Sequence, residues 1–531
     1  MASKRSCLRQ SQTYLILLIV LGLHFNLKDT HSLQYPLSHR LLQLKSKIPS
    51  TSKHHDRTST TKQFSTILKS SSSSSPNDEA PERIESSSSC PFSMKFPRYR
   101  IPVSGGKDKP NKSNNIFSGL FTSMQKSEFE RKFSKNVNKK EDLIWFDAKK
   151  TILESSSSSS SGSGSSAVSE NEDDERIKKG KIGIHVSAFV WRTLSNLIQE
   201  TMKQEPQQHD QKVIIGLPNA SFIGLKQLAD IISWMEEESI NYNSKSSKHN
   251  SRNLIIHASV EEDSPIPTII LSVTCAKQQT DSDGNLNDDE DAIRLKNHHN
   301  EYIVKERTKS WVERILVKMG ICPFTKSVTK SGHGLGDVGV PVGKIAYHYS
   351  NALDFQIATL MADTWEAISN MIQAGPSGKD GISSILLAAP EFDHNFSFWA
   401  GPIFAILEAN VGAASAEPII GVVCFHPQYK TPDGSSFPGF GHMHSSPRLS
   451  KWVKDNDVEL FDKLEMKDVS AGGAFQRRTP HATINILRAE QLEAAEGRRS
   501  TGSLYSTNIR TLFEVGFDKL DEDLKKEQQL V

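Results

Sequence analysis

Cys322, His426 and Arg478 are the residues of this chain whose types could work together in chemistry. A thiolate is a nucleophile, an imidazole exchanges protons near neutral pH, and a guanidinium grips an anion through two parallel hydrogen bonds. In one arrangement Cys322 is the nucleophile or redox thiol of a small-molecule enzyme, His426 its acid/base and Arg478 the anchor of an anionic substrate. In the other, Cys322 is a small buried hydrophobe, and the histidine and arginine form a non-catalytic module that binds an anion or metabolite. Neither arrangement calls for a cofactor.

The elements around these residues decide what they can reach. Trp311, Ile315 and Met319 form an apolar helical stripe that ends at Gly320, and Cys322 follows on a turn fixed by Pro323. A helix carboxyl end disfavours a thiolate, so a reactive Cys322 needs Arg314, Lys326 or a histidine beside it. Further on, strand patterns at 343–350, 385–389 and 422–426 alternate with amphipathic helices at 355–373 and near 396–410. This alternation predicts an α/β fold with a largely parallel sheet and crossover helices, whose ligands collect at the carboxyl ends of the strands. His348, Asp393, His394 and His426 then share one rim. Thr479 is expected to cap a helix with Pro480 in its first turn, giving Arg478 a helix amino terminus to complete an anion site. Arg488 would lie about 15 Å along that helix, too far to grip the same small anion.

The wording of these stretches resembles a family of bacterial proteins, the domain of unknown function 1415 family. Trp311-x-Glu313-Arg314 with Cys322-Pro-Phe-x-Lys326, then Asp393-x-Asn395, Phe425-His-Pro-x-Tyr429, Arg478-x-Pro480 with Leu487-Arg488, and Tyr505 with Asn508-Ile-Arg510 follow its motifs in order over residues 307–516. The resemblance implies single small domains with no assigned activity. Arg314, Asp393, Asn395, Tyr429, Arg488 and Arg510, which lie in these motifs, are with Arg478 the candidate substrate-binding residues. Between Tyr429 and Arg478 this chain carries a longer insertion rich in Gly and Pro.

An internal echo suggests a tandem pair with a degenerate first copy. Gly180-Lys-Ile-Gly-Ile-His-Val-Ser187 reads like Gly343-Lys-Ile-Ala-Tyr-His-Tyr-Ser350, and each is expected to be a strand that leads into a helix. Strands at 213–217 and 254–257 would match those at 385–389 and 422–426, the last of each set ending on histidine. The expected copies span 180–275 and 301–520, joined by the acidic linker 276–300, and 90–179 reads as mostly linker or disordered.

Residues 1–32 read as a signal peptide, with Lys4, Arg5 and Arg9 ahead of an apolar run too short to span a bilayer comfortably. Residues 33–89 are transit-like and Ser-rich, and the two together predict plastid delivery by a bipartite presequence, with secretion or endomembrane retention as the alternative. No membrane association is expected once it is removed. With 64 Lys and Arg against 62 Asp and Glu, the balance excludes a dominant nucleic-acid footprint. Five cysteines are too few for a disulfide scaffold. Gly334-x-Gly336-x-x-Gly339 precedes a strand instead of following one, so it reads as a loop, not a dinucleotide fingerprint. His442-Met-His444 in a Gly-rich insertion is weak evidence for a metal, and none is expected.

Overall fold

The computed structural model describes residues 114–134, 142–157, 172–203, 211–245, 254–275, 300–434, 443–498 and 501–531. Residues 1–113, which include the expected presequence, residues 158–171, residues 276–299 of the acidic linker, and His442 lie outside the described residues. All described residues belong to the compact unit Asp108–Val531, within which two modules follow one another. No described helix is long and apolar enough to cross a membrane.

The first module comprises α1 (Asn114–Phe133), β1 (Leu143–Trp145), α2 (Ala148–Ser157), α3 (Glu172–Lys203), β2 (Gln211–Gly216), α4 (Phe222–Lys245), β3 (Leu254–Val260) and β4 (Thr268–Cys275). Its sheet has the order β1-β2-β4-β3, with β1 parallel to β2 and β4 antiparallel to both its neighbours. The strand expected at 180–187 is instead part of α3. Helical spacing buries Ile184, Trp191, Leu194 and Val190 on one side of it. Gly180 and Gly183, three apart, let this helix lie against backbone: a Cβ on Gly183 would stand 2.0 Å from the Ala414 carbonyl oxygen. His257 is mid-strand opposite Ser272, so β3 does not end on histidine as expected.

The second module begins with α5 (Glu301–Trp311), which loosens into the π-helical turn Val312–Lys318 and ends where Gly320 takes a left-handed φ of 67°. Then come β5 (Thr325–Ser327), β6 (Lys330–Ser331), β7 (Gly343–Tyr349), α6 (Ile357–Ala374), β8 (Ile382–Ala388), α7 (Phe404–Ala413) and β9 (Ile420–Phe425). The chain continues through α8 (Ser446–Asn456), α9 (Met466–Phe475), β10 (Thr483–Arg488), α10 (Ala489–Arg498), α11 (Thr501–Val515) and α12 (Phe517–Gln528). Gly334, Gly336 and Gly339 form a turn ahead of β7, as a loop should.

The six strands run β5-β6-β7-β8-β10-β9, and β7 with β8 is the one parallel pair among them. The fold is α/β, but both sheets are mixed and largely antiparallel, which corrects the largely parallel sheet expected from the alternation. The cause is β10, expected as a helix behind Pro480. Thr483-Ile-Asn-Ile-Leu alternates with period two, buries Ile484 and Ile486 completely, and inserts between β8 and β9. Thr479 caps no helix; its hydroxyl donates to the His481 carbonyl at 2.7 Å.

The strands β7-β8-β10-β9 repeat the order and sense of β1-β2-β4-β3. The helices between them, α3 and α4 in the first module and α6 and α7 in the second, meet in one continuous core. On the outer faces, α1 covers the first sheet with Phe129 and Phe133, and α5, α11 and α12 cover the second around Trp311, Phe425 and Leu512.

Candidate functional site

Because β7, β8 and β9 point the same way, Tyr349, Ala388, Thr483 and Phe425 fall in one row across the sheet. The residues just past this row form the rim. Asp393, His426 and His481 converge there.

His426 is fully buried, and both its ring nitrogens are engaged by backbone. The Gln428 amide donates to Nδ1 at 3.0 Å, which fixes the proton on Nε2, and Nε2 donates to the Phe392 carbonyl at 3.1 Å. Burial lowers its pKa to about 4, the Phe392 bond opposing only in part. The imidazole braces two turns, and the backbone engages both nitrogens that an acid/base role would need. Cys322 is half-buried and makes no hydrogen bond with it. Its sulfur accepts from the Thr325 hydroxyl at 3.3 Å, and Thr325 reaches Ser331 at 3.3 Å.

Asp393 accepts from the Ala482 amide at 2.5 Å and from His481 Nδ1 at 2.8 Å. It thereby extends the β8–β10 ladder by one rung and orients the imidazole. With Nδ1 donating, His481 Nε2 is an acceptor, and Arg307 Nη1 faces it at 3.4 Å. Arg307 Nε donates to the Leu530 carbonyl at 2.9 Å. These two groups aim the guanidinium, and among the described residues no carboxylate stands within ion-pair distance of it. Burial lowers its pKa somewhat, against the pull of Asp393.

The other expected ligand residues are held elsewhere. Arg314 is clasped by Glu527 through two bonds of 2.7 Å. Asn395 caps the turn Phe396–Phe398, accepting from the Phe398 amide at 3.0 Å. Tyr429 is buried against Phe396, with the Arg477 guanidinium 5.7 Å from its ring, and burial raises its phenol. Arg478 donates to the Tyr429 carbonyl at 3.3 Å, pairs with Asp521 at 3.1 Å and covers Phe475. Arg488 ends β10 at the end of the strands opposite the rim, where it donates to the Ile382 and Met371 carbonyls at 2.7 Å each. Arg510 is bidentate to Asp457 at 2.7 and 2.6 Å.

The fold therefore brings Asp393, His426, Tyr429 and Arg478 toward one rim. The side chains of Cys322, Arg314, Arg488 and Arg510 make no hydrogen bond or ion pair with them. Arg307 and His481 were missed. Reading Thr479-Pro480 as a helix start hid His481 at the mouth of a strand, and Arg307 lies one helical turn before Trp311, where no motif signal marks it. Arg477 was passed over for its neighbour, yet it is the buried one, donating to the Tyr505 hydroxyl at 3.1 Å. Among the described residues no three His, Cys, Asp or Glu side chains are placed to hold a metal ion, and His444 packs edge-on against Trp452 and Tyr505.

Residues 303–437 match the family model described as protein of unknown function (DUF1415). Over that stretch the chain is similar to this family. Arg307, Cys322, Asp393, His426 and Tyr429 lie inside the match; His481 and the motifs from Arg478 onward lie beyond it in the DUF1415-like module. No curated protein and no solved structure matches the chain.

Proposed function

We propose that the rim of the second module is a non-catalytic binding site for a small anion, with Arg307 as its cation. The observation that carries this reading is the half-buried guanidinium held by His481 and Leu530, two acceptors that orient it without neutralising it. Asp393 acts through His481 and is a positioning residue. A thiol enzyme finds less support: among the described residues Cys322 hydrogen-bonds to the Thr325 hydroxyl and not to a base, and both nitrogens of His426 are engaged. The test is calorimetric titration of the full chain with inorganic phosphate and with short dicarboxylates. Saturable binding that is lost in Arg307→Gln and kept in Cys322→Ser is expected. Binding that survives Arg307→Gln, or turnover that needs Cys322, would overturn the reading.

The first module reads as a degenerate copy of the second, which the shared strand order and sense support. Its rim carries different chemistry. Thr268 pairs with Gly216 as Thr483 pairs with Ala388, so Ile266 stands where the second module has His481. Pro218 matches Pro390, so Ser221 stands in place of Asp393. One anion per chain is the expected stoichiometry. Plastid delivery rests on residues 1–89, and a fluorescent fusion of that segment tests it.

A further inference from the structure

The face between the two modules carries a relationship that the motif reading did not contain. Laying Trp191 on Trp365 aligns α3 with α6 without a gap. Ala188, Ser195, Asn196, Ile198 and Gln199 then match Ala362, Ser369, Asn370, Ile372 and Gln373 identically. This register differs from the one that sets Gly180 against Gly343, and the contacts obey it. His185 Nδ1 meets the Ser369 hydroxyl at 2.7 Å, and Ser195 meets the Thr359 hydroxyl at 2.9 Å. In the alignment His185 corresponds to Thr359 and Ser195 to Ser369, so a half-turn of the pair carries each contact onto the other.

A residue on the axis of such a half-turn faces its own counterpart. Arg192 corresponds to Glu366, and these two are hydrogen-bonded to each other through Nε at 3.0 Å and through Nη2, which also reaches Asp363 at 3.1 Å. Next to them the indole N–H groups of Trp191 and Trp365 converge on Asn410. With the amide oxygen turned toward them, both bonds measure 2.7 Å, and the amide nitrogen reaches Ser187. The second helix pair also meets at backbone distance, since a Cβ on Gly224 of α4 would stand 2.4 Å from the Ala413 carbonyl oxygen of α7.

We infer that the two modules are joined as the two subunits of a dimer are, and that the unlike pairing is specified on the axis by Arg192 facing Glu366. The inference rests on reading the first module as a copy of the second. Pairing two second modules through this face would set Glu366 against Glu366, with an Asp363 beside each. Pairing two first modules would set Arg192 against Arg192. Like charges at a shared position penalise both self-pairings, whereas the unlike pair gains two hydrogen bonds to one Glu366 carboxylate oxygen. The α6 and α7 face thus has a defined partner, the first module of this chain. Because Arg192 and Glu366 are 39% and 53% exposed, they discriminate between partners more than they hold them together. The apolar core and Asn410 do the holding.

Four variants of the full chain test this: Arg192→Gln, Arg192→Glu, Glu366→Arg and the exchange Arg192→Glu with Glu366→Arg. Urea unfolding and light scattering over a hundredfold range of concentration are the readouts. Arg192→Glu should lower the midpoint clearly more than Arg192→Gln, and the exchange should recover more than half of that loss. Glu366→Arg should lower it as well. In a chain with one reversed charge every pairing, within or between molecules, sets like charges together, so re-pairing relieves nothing and all four variants should stay monomeric like the wild type. Equal effects of Arg192→Gln and Arg192→Glu, or an exchange no better than the worse single variant, would overturn the inference. Failure of the copy reading looks different: an experimental structure in which α3 and α6 do not superpose together with their sheets would remove the ancestry while leaving the charge result intact.

Discussion

Arg314 and Glu527 are locked together by two hydrogen bonds of 2.7 Å, with side-chain exposures of 17% and 6%. The pair ties the family's Trp-x-Glu-Arg helix to α12, more than two hundred positions later in the chain. Glu527→Ala would leave a buried guanidinium without its counter-charge. A loss of about 3–5 kcal/mol is expected, measured by urea unfolding of the full chain. A loss under about 1 kcal/mol would mean that the pair behaves as a surface one.

Acid should weaken the fold through two histidines before it protonates the ordinary carboxylates. Burial, aided by Lys181, lowers His185 to about 4, and burial lowers His426 to about 4 as well. Both folded values lie below the unfolded value of 6.5, so the unfolded chain takes up protons first. The contribution is complete above 6.5 and is lost as the pH falls toward 4. It amounts to about 3 kcal/mol per histidine as an upper figure. His426→Gln and His185→Gln should each flatten the stability profile between these limits, whatever they do to stability at neutral pH.

Asn410 serves two indoles at once, so its removal strands two buried donors. Asn410→Leu should cost about 2–5 kcal/mol and shift tryptophan emission, with Trp191 and Trp365 both reporting. An unchanged emission spectrum would mean that the indoles find other acceptors.

Gly183→Ala places a methyl group 2.0 Å from a backbone oxygen that no rotamer can move aside. The modules must shift apart, and a loss of about 1–3 kcal/mol or more is expected. Gly401→Ala serves as control, since a Cβ there meets nothing within 4 Å.

Thiol chemistry should separate the cysteines. Cys424 is 2% exposed, and burial raises its thiol well above the usual range, so it should alkylate only on unfolding. Cys322 is half-buried and should label in the native chain without loss of phosphate or dicarboxylate binding. If labelling abolished that binding, the thiol would belong to the rim after all.

The legible parts of this fold were those where one local signal sufficed. Strands β7, β8 and β9 announce themselves by β-branched and aliphatic runs, and Gly320 by its place after an apolar stripe. The illegible parts were decided by partners far away in sequence. Gly180 to Ser187 looks like a strand until the Ala414 backbone is seen lying where side chains would be. Thr479-Pro480 looks like a helix start until Ile484 and Ile486 find the gap between β8 and β9. For the site, residue types were readable but not their obligations. His426, Arg314, Arg488 and Arg510 have the side chains of a binding site and spend them on backbone or on a carboxylate.

The position of β10 also governs timing during synthesis. β8 and β9 are made in sequence but cannot pair with each other, because each bonds to β10, which follows only after residues 426–482. Until it arrives both present open edges, and nothing local can close them. In the first module the corresponding strand is made immediately after its neighbour, so β3 and β4 can zip as a hairpin and dock as one piece. The first module should therefore mature early on the ribosome and offer its helices as a ready surface, while the second remains exposed to chaperones and to edge pairing for much longer.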